Sequence, residues 1–291
     1  AAGRGQGRHV YAVCAGDKRM TLKFTILGCG FSGGVPRAAL GWGACDPKNP
    51  KNRRRRTSLL VEKTGPGGKK TSILIDTSPD LRDQLYDAGV MWLDAVLYTH
   101  PHADHVHGID DLRGLFIHKR RPIDVYMDEP TSHDVRKRFD YCFATQPGSE
   151  YPPIVREHRI ASGEPLIVDG EGGPITVMPF LQDHGDIPSL GFRFGGLAYS
   201  CDLSAVVPDS IPLLANLEVW IVDALRYRPH PSHFSLADSL SWIARIKPQQ
   251  AILTNLHSDL DYEALKGELP PHIEPGFDGI SGTVSEDSKL K

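Results

Sequence analysis

Apolar and polar positions alternate in short stretches along this chain, and several stretches end on a chemically active side chain. Leu22-Lys23-Phe24-Thr25-Ile26-Leu27 has the period of a strand and runs into Gly28-Cys29-Gly30-Phe31-Ser32-Gly33-Gly34-Val35-Pro36. Ser58 to Glu62 and Ser72 to Ile75 read as a strand pair joined through Gly65-Pro66-Gly67-Gly68. A helix should follow, with Ser78 as N-cap, Pro79 at its first position and Gly89 at its end. Ala95-Val96-Leu97-Tyr98 is the next strand. A less regular stretch carries His118-Lys119-Arg120-Arg121, a helix from Ser132 to Phe143 and a break at Pro152-Pro153; it reads as a lid or a homodimer surface. Strands return at Ile175 to Leu181, as a hairpin of Leu190 to Phe194 with Leu197 to Ser200, and at Glu218 to Val222. Ser235-Leu236-Ala237-Asp238 is a capping box opening an amphipathic helix to Ile246, and Gln250 to Thr254 is the last clear strand.

Composition changes this picture little. The 291 residues are 40% hydrophobic and 24% charged, enough for a large core in one layered α/β domain spanning residues 20–291. Residues 1–19 read as a disordered or non-native leader, with Met20 as the native start. The net charge of −3 gives no basic field to draw in nucleic acid. Five cysteines without a C-x-x-C pair suit reduced thiols and a cytoplasmic location. No apolar run approaches the roughly 20 residues of a membrane span.

The chemistry concentrates in Thr99-His100-Pro101-His102-Ala103-Asp104-His105. In an extended segment His100, His102 and Asp104 would line one side, while His105 would begin the next turn and point elsewhere. That arrangement offers ligands to two adjacent metal ions, neutral imidazole being the commonest metal ligand. His184, Asp202 and His257 each follow an apolar run, so strand ends along one sheet edge could gather them.

The order H-x-H-x-D-H resembles the signature of the metallo-β-lactamase superfamily. The glycine-rich opening and Asp110-Asp111-Leu112-Arg113 resemble one branch of it, which includes the phosphoribosyl cyclic phosphate phosphodiesterase of carbon–phosphorus lyase systems. The resemblance covers about Met20 to Ile280 and implies a four-layered αβ/βα sandwich. It assigns His100, His102 and His184 to one metal, Asp104, His105 and His257 to a second, and Asp202 as the bridge. His257 is a departure: the branch places its last ligand directly after the threonine, where this chain has Asn255. An extended segment would give His257 the same facing, so His257 is expected to substitute; the alternative is a one-metal enzyme with Asn255 beside a vacant site. Cys45 alone cannot build the structural zinc site found in the carbon–phosphorus lyase member, so it is read as a packed or exposed thiol.

His233 matches a histidine that the branch places over the substrate and precedes the Ser235 helix; it is the expected proton donor to the leaving oxygen. Gly33 and Gly34 are candidates for backbone contact with a phosphate. Asp76 and Asp223 end strands and read as carboxylates that orient imidazoles. His107 should face solvent, and Arg53-Arg54-Arg55-Arg56 reads as a solvated or locally paired loop rather than a nucleic-acid site. The resulting expectation is a metal-dependent hydrolase of small phosphodiesters such as cyclic nucleotides or cyclic sugar phosphates. Two divalent ions, Mn²⁺ favoured and Zn²⁺ second, would activate water and clamp the reacting oxygens. The alternatives are a nuclease resembling tRNA 3′-processing enzymes, a thioester or lactam hydrolase, and a nucleotide-binding sensor without turnover.

Overall fold

Two mixed β-sheets lie face to face with helices on both outer sides in the computed structural model, which describes residues 10–11 and 21–287. The first sheet has the order β1 (Val10–Tyr11), β16 (Ser281–Ser285), β2 (Thr21–Gly28), β3 (Ser58–Thr64), β4 (Lys70–Ile75), β5 (Ala95–Leu97), β6 (Ile123–Met127), β7 (Val155–Arg159). The second runs β12 (Ala205–Val206), β9 (Ile175–His184), β10 (Ile187–Phe194), β11 (Leu197–Ser200), β13 (Val219–Asp223), β14 (Gln250–Thr254), β15 (Ile273–Pro275), with β8 (Leu166–Val168) paired to β9. Of the segment 1–19 only Val10–Tyr11 is described, pairing in parallel with Ser281 and Gly282; the rest of the expected leader lies outside the described residues.

The side-chain period of two explains the layering. On β4 and β5, Ile73, Ile75, Ala95 and Leu97 face Val177, Phe192, Tyr199, Ile221 and Ile252 of the second sheet. Their neighbours Leu74 and Val96 turn outward, onto Leu81 and Leu85 of α1 (Leu81–Ala88), Val106 of α2 (Ala103–Val106) and Val135 of α4 (Glu129–Phe143). Between α2 and α4 lies α3 (Arg113–Lys119). On the far side Trp220, Val222, Ala251 and Leu253 pack against α5 (Leu236–Ile246) and α6 (Tyr262–Glu268). The order helix, sheet, sheet, helix is the sandwich expected.

Element ends differ in ways that matter locally. The first helix starts at Leu81, two residues beyond Pro79. Ser78 Oγ accepts the Asp80 N–H and Ser78 O accepts the Leu81 N–H, which spends Ser78 on a preceding turn. Helix α4 starts at Glu129, three residues before Ser132, because Asp128 caps the Thr131 N–H at 3.0 Å. Strand β9 continues through Gln182 and Asp183, which pair with both β10 and β12, so His184 is the last strand residue. The capping box at Ser235 forms as read.

Trp220 is fully buried in the outer core, its indole N–H donating to Ser200 Oγ at 3.0 Å. Trp220→Ala should therefore cost about 3–5 kcal/mol in chemical denaturation, a large-to-small core loss. A loss under 1 kcal/mol would contradict this packing.

Candidate metal centre

Strand ends deliver most components of the site to one edge of the sandwich. Asp76 follows β4, Thr99 and His100 follow β5, and His184 and Asp223 end β9 and β13. Asp202 lies just past β11, and Asn255 directly follows β14. Asp76, Asp202 and Asn255 all adopt left-handed backbone, with φ of 61°, 56° and 60°. Asp and Asn tolerate that region better than most residues because a short polar side chain can bond locally. The turn swings each side chain off its strand and into the shared edge.

Three imidazoles and one carboxylate form the first cluster. His100 Nε2 lies 3.0 Å from His102 Nδ1, and His184 Nε2 lies 3.2 Å from the same atom. Asp202 Oδ2 is 3.6 Å from both Nε2 atoms. Ligands held about 2.1 Å from a tetrahedral ion stand roughly 3.4 Å apart, so this spacing suits a divalent cation. The partners on the far side of each ring fix the tautomers. The Thr99 hydroxyl donates to Asp76 Oδ2 at 2.8 Å, so at 2.9 Å it accepts from His100 Nδ1–H. His184 Nδ1–H donates to the Ser232 carbonyl at 2.7 Å. Both Nε2 lone pairs are thereby left facing the cluster. Burial pushes His100 well below the ordinary imidazole range and also lowers His102 and His184, which keeps them neutral and available as ligands. His102 is exposed, so the cluster opens to solvent on its side.

The second cluster is Asp104, His105 and Asp202. Asp104 does not continue an extended line with His100 and His102: helix α2 begins at Ala103 and turns Asp104 and His105 together onto the neighbouring set. His105 Nε2 lies 3.3 Å from Asp104 Oδ2 and 3.4 Å from Asp202 Oδ2. It is buried and has no hydrogen-bond partner, while Nδ1–H donates to Asp76 Oδ2 at 2.7 Å. Burial opposes a charge on His105, yet Asp202, Asp104 and Asp76 together raise it well above the ordinary range. Three carboxylates around one imidazole thus leave an excess of negative charge that a cation would neutralise. The same oxygen, Asp202 Oδ2, faces both clusters, so Asp202 could serve ions at either or both.

Beside them stands His233. Its Nδ1 donates to Asp223 Oδ2 at 3.0 Å, and its Nε2 is 4.0 Å from Asp202 Oδ2. Burial disfavours its charge, but the Asp223 hydrogen bond and charge prevail and raise its pKa to about 9. Asp76 and Asp223 therefore each contact an imidazole, Asp76 also taking the Thr99 N–H at 2.9 Å. Thr99, which links Asp76 to His100, is a site residue that the sequence reading passed over; its position directly before the first histidine was the available signal.

His257 is not brought to the cluster. Its Nδ1 lies 3.0 Å from Asp259 Oδ1, its Nε2 3.2 Å from Arg37 Nη1, and its ring packs on Phe31. Asn255 points in instead, its Nδ2 3.1 Å from Asp202 Oδ1. Asn255 is left-handed, which breaks the alternation of facing between positions 255 and 257, so His257 does not share its facing as an extended segment would require. The phosphate-loop expectation also changes: Gly34 is buried and its N–H is committed to the Phe31 carbonyl at 2.8 Å, leaving Gly33 exposed beside it. His107 is exposed, as expected, with its ring edge against Phe139. Cys45 is buried, its Sγ toward the Leu260 carbonyl. In the arginine run, Arg54 is buried on the His257 and Leu260 carbonyls, while Arg55 and Arg56 pair with Asp278 and Asp80.

A two-sheet sandwich with an H-x-H-x-D-H cluster at its edge defines the metallo-β-lactamase superfamily, and the chain belongs to it: residues 71–255 match the beta-lactamase superfamily domain. Within that superfamily it sits with the PhnP-like branch. The crystal structure of a diphosphatase from the PhnP family is 32% identical, with a TM-score of 0.79 over 89% of this chain and 96% of that one. An octanoyltransferase from Porphyromonas gingivalis is 35% identical over 270 residues, 91% of this chain and 52% of that protein. A ribonuclease Z from a Bradyrhizobium species is 34% identical over 152 residues, 50% of this chain and 46% of that protein. The chain thus spans about half the length of these two relatives. It has the metallo-β-lactamase fold, and its described residues suit a divalent cation. Among those residues no helix is long and apolar enough to cross a membrane.

Asp76 tests the outer support of the centre. Asp76→Ala should weaken Zn²⁺ or Mn²⁺ binding by roughly 10–100-fold in equilibrium dialysis, because His105 and the Thr99–His100 pair lose their anchor. Unchanged affinity would mean that the imidazoles orient themselves without it.

Proposed function

We propose that this chain hydrolyses small phosphodiesters, cyclic nucleotides or cyclic sugar phosphates being the class in view, with two divalent ions at the clusters, Mn²⁺ ahead of Zn²⁺. The observation that carries the reading is the place of His233: its ring is anchored by Asp223 beside Asp202, the carboxylate common to all three groups of converging ligand atoms, and we read it as the proton donor. Bound divalent ions would supply positive charge to polarise a phosphoryl group and acidify water. The chain's own residues supply the rest. Asp223 keeps the His233 ring oriented and protonated, so that Nε2–H can meet the oxygen that leaves. Exposed His102 leaves an approach for substrate. The similarity to a diphosphatase supports a phosphate-containing substrate.

Other readings receive less support. Three arginines of the 53–56 run are engaged inside the protein, which favours a small substrate over nucleic acid. The four described cysteines are all buried, which favours hydrolysis over thiol-mediated acyl transfer.

Purified protein supplied with Mn²⁺ should turn over bis(p-nitrophenyl) phosphate; absence of turnover there and across a panel of cyclic phosphates would reject the phosphodiesterase reading. His233→Ala should keep its metal and lose roughly 10²–10⁴-fold in kcat on substrates with alkyl or ribose leaving groups. The loss should be much smaller with p-nitrophenolate, which needs little protonation. Equal losses for both would remove the proton-donor role.

A further inference from the structure

We propose that the centre holds one divalent cation firmly and a second one exchangeably, because the second cluster offers three protein donors against four and shares one of them, and that a substrate or product phosphate completes the second ion's coordination. This rests on the metal-hydrolase reading above.

The two clusters differ in donors. The first has four protein ligand atoms within 4.8 Å of one another, from His100, His102, His184 and Asp202. The second has three, from Asp104, His105 and Asp202, and it shares Asp202 with the first. Asn255, which is 1% exposed and held by a left-handed backbone, lies between Asp202 Oδ1 and His233 Nδ1 and is not among the ligand atoms of either cluster. Its amide nitrogen faces Asp202 Oδ1 at 3.1 Å, and that nitrogen has no lone pair to give a metal. The same nitrogen lies 3.1 Å from His233 Nδ1, and turning the amide over would set its oxygen against Asp202 Oδ1. His257 cannot move in without breaking its contacts to Asp259, Arg37 and Phe31. Asn255 instead pins Oδ1 of Asp202, which leaves Oδ2 for the clusters.

An ion at the second cluster therefore has three protein donors, one of them shared. Hard ions that keep open positions are commonly completed by phosphate oxygens. The second ion's affinity should then depend on whether an anion is present, whereas the first ion's should not.

The test is metal binding by the full chain, read without activity. Protein loaded with Mn²⁺ and passed through gel filtration should retain about one equivalent by elemental analysis. Titration followed by the paramagnetic resonance of free Mn²⁺ should show a second class on the order of 100-fold weaker or more, since even an outer partner of a ligand is worth roughly 10–100-fold. Inorganic phosphate should tighten that second class and leave the first unchanged. Asn255→His should retain a second equivalent through gel filtration, and His257→Ala should alter neither class. Two equivalents retained by the unmodified chain, or loss of the second class in His257→Ala, would overturn the inference while leaving the hydrolase reading intact. No retained metal at all would overturn both. If Asn255→His does not fold, phosphate-dependent tightening in the unmodified chain still decides.

Discussion

One carboxylate oxygen joins the two halves of this site. Asp202 Oδ2 lies within 3.6 Å of imidazole nitrogens from both halves of the sandwich: His100 just past β5, His105 on α2, and His184 at the end of β9. Each of those rings is held from behind by a different part of the fold: Thr99, Asp76 and the Ser232 carbonyl. The position of Asp202 is in turn secured by Asn255 and by the Cys201 thiol, which donates to Oδ1. Displacing this carboxylate would uncouple both clusters and leave His105 with fewer countercharges in a buried setting.

The scaffold achieves this placement with a repeated local device. A buried parallel strand supplies rigidity, and a left-handed Asp or Asn at or just past its end redirects the chain. The core between the sheets fixes the strands, and the turns fix the side chains. Precision therefore comes from regular structure, and the functional groups occupy the first residues beyond it.

Much of this was legible because it depends on short-range pattern. The alternation in β2, the short apolar runs of β4 and β14 and the capping box at Ser235 mark elements by local chemistry, legible in the sequence. The histidine cluster announced its own role through density of ligands. What stayed hidden depended on single backbone angles or on partners distant in sequence. Nothing near Asn255 states that its φ is positive, so the facing of His257 was misjudged. The bond from His184 to the Ser232 carbonyl joins residues 48 apart and has no sequence signature. The end of β9 at His184 likewise depends on pairing with β10 and β12, beyond the reach of hydropathy.

The opposed sheets give the ligand geometry a mechanical meaning. His100 and His184 belong to different layers, and the core between those layers is apolar and non-directional. A cation held by both would act as a rivet, joining chain segments far apart in sequence at the open edge of the sandwich. Because the ligands are assembled only by the fold, the ion binds the folded chain and not the unfolded one, and its binding free energy adds to that of folding. Occupancy of the centre is thereby tied to the resistance of the whole molecule to unfolding, and the availability of metal in its surroundings would govern how long the protein persists as well as how fast it works.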